Sequence, residues 1–300
     1  MYEPHFDRAF WLRDVDACLR FIKRQGEDGR KANLKNLDES LSLTHLSISC
    51  VGLLAVSMYS EKHESQLFPV NWLDESGRPN ANHVLQCMLA QLANYSLSAA
   101  LSLEMGLDNP ARALCRVISE LSEQVLVLTY SRDDFQSYIK NDDEKSSTAI
   151  WYTLFAKGKL NKRLNEIEAK LGFDAETRSY MSSMRRSNYE FYSQAVHHSY
   201  IANMVGAQVS KFGGSNLRLG VFGGENSTTE ATVNYLNFSL WFFLVCFFAI
   251  LDKHHGLHPQ HPKDSFWMEA FMLYFCVKET FLLTNIADFV RNRDAKRRTV

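Results

Sequence analysis

Apolar residues recur along most of the chain at the three-to-four-residue spacing of an α-helix, and almost nowhere at the two-residue spacing of a β-strand. This pattern predicts an all-α protein built as a multi-helix bundle. Asn109 followed by Pro110 predicts a helix start, while Gly106 and Gly172 predict helix ends. The predicted helices span 8–25, 37–60, 81–105, 110–130, 132–141, 147–157, 159–171, 175–206, 232–252 and 265–292.

Two long segments interrupt the helical pattern, at 61–80 and 210–229. The second contains two Gly-Gly pairs around the sequence NLRLGVF, which predicts a small hairpin or a mobile flap. We therefore divide the chain into an N-terminal helical extension (1–75), whose pair of helices packs on the bundle, a helical bundle domain (81–292) and a basic tail (293–300).

Residues 231–251 carry no charge and are about long enough to cross a lipid bilayer. Asn234, Asn237 and Ser239 fall in the first half of this segment, and the pattern identifies no second segment of this kind. We therefore predict a buried central helix, and a single membrane span is the alternative.

Composition narrows the functional classes. The 33 basic and 34 acidic residues nearly cancel, so contact with nucleic acid or an anionic membrane would need a local patch. The six cysteines are scattered through apolar segments without a close pair, which predicts buried thiols in a reducing cytosol. The N-terminal sequence MYEPHFDRAFW has no secretion-signal pattern, so we expect a cytoplasmic protein.

The sequence contains no strong motif for a metal site, a cofactor site or a familiar hydrolase site. The stretch KHHGLHPQHPKD holds four histidines, but its two prolines and its few acidic neighbours, Asp252 and Asp264, favour a solvated loop. The chain also lacks a Gly-x-Ser-x-Gly elbow, a His-Glu-x-x-His helix and a cysteine with an evident base. We expect no metal and no cofactor.

Two of the predicted helices each carry one apolar face and one hydrophilic face. The helix at 110–130 has a charged stripe, and the helix at 175–206 has a stripe that is both polar and aromatic. The first stripe consists of Arg112, Arg116, Glu120 and Glu123. The second consists of Arg186, Tyr189, Glu190, Ser193, His197 and Tyr200.

These stripes carry a family resemblance. YEFYSQAVHHS fits Tyr-x-x-x-Ser-x-x-x-His-x-Ser, and ARALCRVISELSEQVLVLTY fits Leu-x-Arg-x-x-x-Glu followed by aliphatic residues and an aromatic. Over about 81–207 the chain resembles a largely uncharacterised family of bacterial all-helical proteins, often placed near the HEPN nucleases and abortive-infection proteins. His198 stands where that family usually has proline, which favours a helix that runs on. The residues that match the family motifs are Tyr189, Ser193, His197, Arg116 and Glu120.

The resemblance implies a HEPN-like core and a protein that binds or cleaves RNA or a nucleotide, in bacterial phage defence or stress response. HEPN proteins that cleave RNA carry Arg-x(4–6)-His on one helix, and His197 has no such arginine. A composite, metal-independent ribonuclease site would instead use His197 as acid or base, Arg116 as phosphate holder and Glu120 as orienting group. The binding candidates are Ser193, Tyr189, Arg112 and Tyr200.

Two other hypotheses stand beside this one. The same polar residues can pin two helices in register, in a non-catalytic module that docks a protein partner or forms a homodimer. The third hypothesis is a membrane-associated protein with a single span at 231–251. The first hypothesis requires the two hydrophilic stripes to face each other.

Overall fold

The computed structural model describes residues 8–57, 81–140, 144–156, 158–197, 199–209, 218–219, 223–224, 228–257 and 265–297. This part of the chain is helical apart from one two-stranded ladder, so the all-α class is confirmed. In chain order the elements are α1 (Arg8–Asn36), α2 (Asp38–Ser57), α3 (Ala81–Glu104), α4 (Asp108–Tyr130), α5 (Arg132–Lys140), α6 (Glu144–Leu154), α7 (Lys159–Lys170), α8 (Ala175–Val196), α9 (Tyr200–Ala207), β1 (Gln208–Val209), β2 (Arg218–Leu219), α10 (Thr229–Lys253) and α11 (Ser265–Arg297).

Helix α10 lies at the centre of the bundle and is buried around its whole circumference. It packs against α2, α4 and α11, which is the environment that a helix apolar on all sides requires. Its aromatic rings stack on each other and on α11, with Phe243 and Phe247 5.2 Å apart and Phe248 and Tyr274 4.2 Å apart. Each buried phenylalanine contributes about 2–3 kcal/mol of hydrophobic free energy.

Polar side chains on α10 fix its rotation within this core. Asn237 accepts a hydrogen bond of 2.7 Å from the hydroxyl of Thr44 on α2. Asn188 on α8 donates a bond of 3.1 Å to Ser239. Because an unpaired polar group in the core would be costly, these bonds select one register for α10 against its neighbours.

Two helices of the described chain, α2 and α10, are long and apolar enough to cross a membrane. The sequence prediction that only 231–251 qualifies is therefore wrong. In their most apolar windows 56% of the residues of α2 and 78% of those of α10 are buried inside the protein. The core helix of a soluble protein has the same length and composition, and the burial of α10 agrees with the predicted central helix.

The first two helices join the bundle differently. Helix α2 packs against α3, α10 and α11 and places Leu41, Val51 and Leu54 in the common core. Helix α1 lies mainly along α3 and continues to Asn36, past its predicted end at residue 25. Its Gly29 allows a close approach to the end of α3, because a Cβ there would lie 2.9 Å from the carbonyl oxygen of Met105.

The predicted continuous helix at 175–206 is wrong, because α8 ends at Val196 and α9 begins at Tyr200. The backbone of His197, at φ −91° and ψ 11°, leaves the helical region. The hydroxyl of Ser199 then accepts a bond of 3.2 Å from the backbone N–H of Ala202, which caps the new helix. The break therefore occurs without a proline.

The start of α4 also differs from its prediction. The helix begins at Asp108, so the predicted cap at Asn109 is wrong. The Asn109 amide instead donates a bond of 3.0 Å to the carbonyl of Ala202 and ties α4 to α9. The predicted helix ends at Gly106 and Gly172 are confirmed, with φ values of +75° and +82° that favour glycine.

The glycine-rich segment at 210–229 lies partly outside the described residues, and the connection at 61–80 lies entirely outside them. Gln208 and Val209, just before this segment, pair with its Leu219 and Arg218 in an antiparallel ladder. Further along, the backbone N–H of Gly224 donates a bond of 3.0 Å to the carbonyl of Met105.

Candidate functional site

Helices α4 and α8 pack antiparallel and bring parts of the two hydrophilic stripes together. The Nη1 of Arg116 on α4 donates a hydrogen bond of 2.6 Å to the hydroxyl of Ser193 on α8. The guanidinium carbon lies 3.4 Å from the ring centroid of Tyr189. The Nε and Nη2 atoms donate bonds of 2.8 and 2.5 Å to Glu120. Arg116 thus joins the two stripes.

The guanidinium of Arg116 keeps binding capacity after these contacts. It carries five N–H donors, of which three are used, so one N–H remains on each terminal nitrogen. The side chain is 17% exposed and the partner Glu120 is 40% exposed. A partly exposed guanidinium with unused N–H donors can bind a phosphate or a carboxylate.

A cleft of about 630 Å³ opens beside Arg116, between α4, α6, α7 and α8. This volume falls in the range of small-molecule sites. The cleft combines three arginines, three carboxylic acids and several aromatic rings. Its charged and aromatic lining residues are Arg116, Glu120, Glu123, Trp151, Phe155, Arg185, Arg186, Tyr189 and Glu190.

Glu123 is the most perturbed acid in this cleft. Desolvation is the main cause that raises its pKa to about 7, and the nearby Glu120 adds to the rise, while Arg185 and Arg116 oppose it. At neutral pH this carboxyl is therefore present in both protonation states. A carboxyl with a pKa near the working pH, in a cleft, is a candidate general acid or base.

Arg185 provides a fixed positive charge at the cleft. Its Nη1 donates to the carboxylate of Glu168, and its Nη2 donates a bond of 2.9 Å to Asn165. The side chains of Arg185 and Glu168 are 6% and 1% exposed, respectively. Burial raises the pKa of Glu168, and the adjacent Arg185 opposes that rise. Glu168 and Asn165 of α7 fix the position of Arg185, and its positive charge lowers the pKa of the nearby Glu123.

The predicted catalytic histidine lies away from this cleft. His197 forms the C-cap of α8, with an exposed side chain, and does not line the cleft. Within the described part of the chain its ring makes no hydrogen bond or ion pair. Tyr200, on α9, is 79% exposed and does not line the cleft either. Arg116, Glu120 and Tyr189 are brought together, whereas His197 and Tyr200 are not joined to them.

Arg112, predicted as a binding residue, is part of the interior. Its Nε donates a bond of 2.8 Å to Asp108, and its guanidinium carbon lies 3.9 Å from the ring centroid of Phe191. The side chains of Arg112 and Asp108 are 3% and 0% exposed. Desolvation lowers the pKa of Arg112, and Asp108 opposes that change. Arg112 does not line the cleft, and Thr232 of α10 donates a further hydrogen bond to its partner Asp108.

Sequence reasoning missed the two residues that dominate the electrostatics of the cleft. Glu123 appeared only as one member of a charged stripe, although it stands on the same helix face as Arg116. Arg185 has no local signal, because its partners Glu168 and Asn165 come from α7.

The histidine tract after α10 is only partly described. His254 stacks on Tyr130 at 4.3 Å, and the His255 ring donates a bond of 2.8 Å to the carbonyl of Thr129. Burial lowers the pKa of His255. His258 and His261 lie outside the described residues. Where the chain is described, no group of three or more histidine, cysteine, aspartate or glutamate side chains could hold a metal ion.

The cysteines differ from their prediction. Cys50, Cys115 and Cys246 are buried as expected, but Cys18, Cys87 and Cys276 are exposed on the outer surfaces of α1, α3 and α11.

Comparison with known proteins found no matching family model, no similar curated protein and no similar solved structure. The function is therefore argued from the cleft itself.

Proposed function

We propose that the cleft between α4 and α8 binds a ribonucleotide, either free or at the end of an RNA strand, and that Glu123 moves a proton there. The observation that carries the proposal is the position of Glu123, whose pKa is about 7, beside Arg116 in a cleft of about 630 Å³. The contacts around these two residues support each part of the assignment.

The phosphate part rests on Arg116. Its two remaining N–H donors match two oxygens of one phosphate group. Glu120, Ser193 and Tyr189 hold the guanidinium in place from three directions, so little rotational freedom is left to lose when an anion binds. Arg186 is 82% exposed and paired with Glu190 at 3.0 Å, and it is the second arginine that can turn toward the same anion.

The base part rests on the aromatic residues across the cleft. Trp151, at 39% exposure, and the buried Phe155 lie on the α6 side, opposite the arginines of α8. Stacking of a base on such a ring contributes about 1–3 kcal/mol and does not require a particular base.

The charge balance limits the size of the ligand. Three arginines and three carboxylic acids line the cleft, so no excess of positive charge runs along it. A long nucleic-acid backbone needs such an excess, because its affinity comes mainly from neutralised phosphates. The cleft therefore favours one nucleotide or a strand end over an extended RNA.

The catalytic extension of this proposal is metal-independent cleavage of RNA. Glu123 in its ionised form takes the proton of a ribose 2′-hydroxyl, and the 2′-oxygen forms a bond to the adjacent phosphorus. The 5′-oxygen leaves and takes a proton from water. Arg116 stabilises the charge on the phosphate during this step. A cytoplasmic setting in phage defence or stress response is proposed from the motif resemblance alone.

Calorimetric titration with the four ribonucleoside monophosphates and a short single-stranded RNA tests the binding proposal. Arg116→Lys keeps the charge but removes the two-point contact, so we expect an affinity loss of about tenfold or more. Arg24→Lys, on the exposed surface of α1, is the matched control and should bind as the parent does. The proposal fails if the parent chain binds none of these ligands, or if Arg116→Lys binds them unchanged.

A non-catalytic interaction module is the second candidate, and one observation favours it. The Arg116–Ser193 bond of 2.6 Å crosses from α4 to α8, and each arginine of the cleft already has a carboxylate partner. On this hypothesis Arg116→Lys lowers the thermal stability and the nucleotides do not bind. A pull-down should then recover one dominant protein partner and no nucleic acid.

A further inference from the structure

A second cavity of about 630 Å³ lies between α3, α4 and α5, on the other side of Glu120. Two of its lining residues, His83 and Cys87, are one turn apart on α3, with the Cys87 Sγ 3.9 Å from the His83 Nε2. A thiol beside an imidazole is the arrangement that activates a cysteine, because the imidazole can accept the thiol proton. Both side chains are exposed to solvent.

The other cysteines of the chain provide a direct contrast. Cys18 and Cys276 are exposed, and neither contacts an imidazole in the described residues. Cys50, Cys115 and Cys246 are buried, and desolvation raises the pKa of each thiol, which suppresses its reactivity. Cys87 is thus the thiol that combines solvent access, a neighbouring base and a cavity in front of it.

We propose that Cys87 is a thiol-modification site that takes a small peptide disulfide from solution and forms a mixed disulfide, with His83 as the base. The Cys87 thiol passes its proton to His83 Nε2, and the thiolate attacks one sulfur of the incoming disulfide. A new S–S bond forms at Cys87 while the S–S bond of the small disulfide breaks. The departing thiolate takes the proton from His83, so the exchange needs no further oxidant.

The cavity is built for a group of this kind. Val84, Met88 and Leu121 give it an apolar wall, and Gln91 and Gln124 offer amide groups to a peptide backbone. The volume fits a tripeptide-sized thiol. Glu120 and Gln124 line both cavities, so a group bound to Cys87 would stand next to the carboxylate that holds Arg116.

The size of the expected effect follows from thiol chemistry. An ordinary thiol is a few per cent ionised at neutral pH, so complete ionisation gains at most about 30-fold in rate. Part of that gain is lost because a more readily ionised thiolate is a weaker nucleophile. We therefore expect Cys87 to react about fivefold faster than Cys18 and Cys276.

The experiment incubates the native full chain with glutathione disulfide, quenches samples with acid and measures the occupancy of each cysteine by mass spectrometry. His83→Gln should bring the rate of Cys87 down to that of Cys18 and Cys276 and leave those two rates unchanged. His197→Gln, at an exposed histidine of α8, is the matched control and should leave all rates unchanged.

Two results would overturn the proposal. The first is a Cys87 rate equal to the rates of Cys18 and Cys276 in the native chain, a comparison that requires no variant to fold. The second is a Cys87 rate that is unaffected in a folded His83→Gln protein. Tryptic peptide mapping with and without reductant identifies the adduct. A mixed disulfide adds the mass of glutathione to the Cys87 peptide and is lost on reduction.

Discussion

Arg112 and Arg116 lie one turn apart on α4 and make the same kinds of contact, yet they have different roles. Each guanidinium lies over an aromatic ring of α8, at 3.9 Å for Arg112 and 3.4 Å for Arg116. Each pairs with a carboxylate four residues away on its own helix. The side chains differ in exposure, at 3% for Arg112 and 17% for Arg116.

The difference comes from what covers each pair. The partner of Arg112 is Asp108, at the start of α4, where Thr228 and Thr232 at the start of α10 donate hydrogen bonds to it. The partner of Arg116 is Glu120, which faces two cavities and no helix end. One arrangement repeated along a helix therefore forms a structural pair where a neighbouring helix closes over it, and an open site where none does.

The largest expected effect is the loss of the buried pair. Arg112→Met should lower the free energy of unfolding by about 3–5 kcal/mol, because it leaves the carboxylate of Asp108 buried without its partner. Urea unfolding at neutral pH measures this change. The double variant Asp108→Asn with Arg112→Met should recover part of the loss, and a loss below about 1 kcal/mol in the single variant would contradict the structural role of this arginine.

The next effect concerns pH and Glu123. Its folded pKa of about 7 lies above the ordinary value of 4.5, so the unfolded chain releases this proton first. Stability should therefore fall as the pH rises between about 4.5 and about 7. Glu123→Gln should be about 1–3 kcal/mol more stable than the parent at pH 8 and similar to it at pH 5. Equal stabilities at both pH values would place Glu123 in an ordinary environment.

Arg116→Met should affect stability much less than Arg112→Met. The pair with Glu120 is only partly buried and contributes about 0–1 kcal/mol, so urea unfolding should show a loss in that range. Nucleotide binding in the cleft should disappear in the same protein. A stability loss as large as that of Arg112→Met would instead identify Arg116 as a structural residue and favour the interaction-module hypothesis.

His197→Ala should give the smallest effect. The histidine is exposed and its ring makes no hydrogen bond or ion pair among the residues that the structure describes, so the free energy of unfolding should change by less than about 0.5 kcal/mol. Nucleotide affinity should match that of the parent chain in calorimetric titration. Loss of binding in this variant would show that His197 takes part in nucleotide binding, as the motif resemblance implies.

The sequence predicts the helices better than their junctions. The uniform apolar character of α10 is strong enough to place it in the core, and Gly106 and Gly172 mark helix ends because their positive φ is a local property. The break after α8 depends on Ser199 capping a new helix, and the hydrophobic pattern on both sides of it is continuous. The start of α4 depends on Asp108, whose bonds come from α10, far along the chain.

The candidate site shows the same limit. The helical spacing places Arg112, Arg116 and Glu120 on one face, but which of them meets solvent is decided by α10 and the cavities. The high pKa of Glu123 comes from desolvation by other helices, which periodicity along α4 does not contain. His197 belongs to the motif, yet the end of α8 leaves its side chain outside the cleft.

The most direct test of the cleft as a proton-transfer site is an NMR titration of ¹³C-labelled glutamate carboxyls, with Glu123→Gln to assign the resonance. We predict one glutamate that titrates near pH 7 and disappears in the variant. Adding adenosine monophosphate should raise the pKa of that carboxyl further, because a bound phosphate brings negative charge beside it. If Glu123 titrates near the ordinary value of 4.5 and is unaffected by the nucleotide, the account is contradicted.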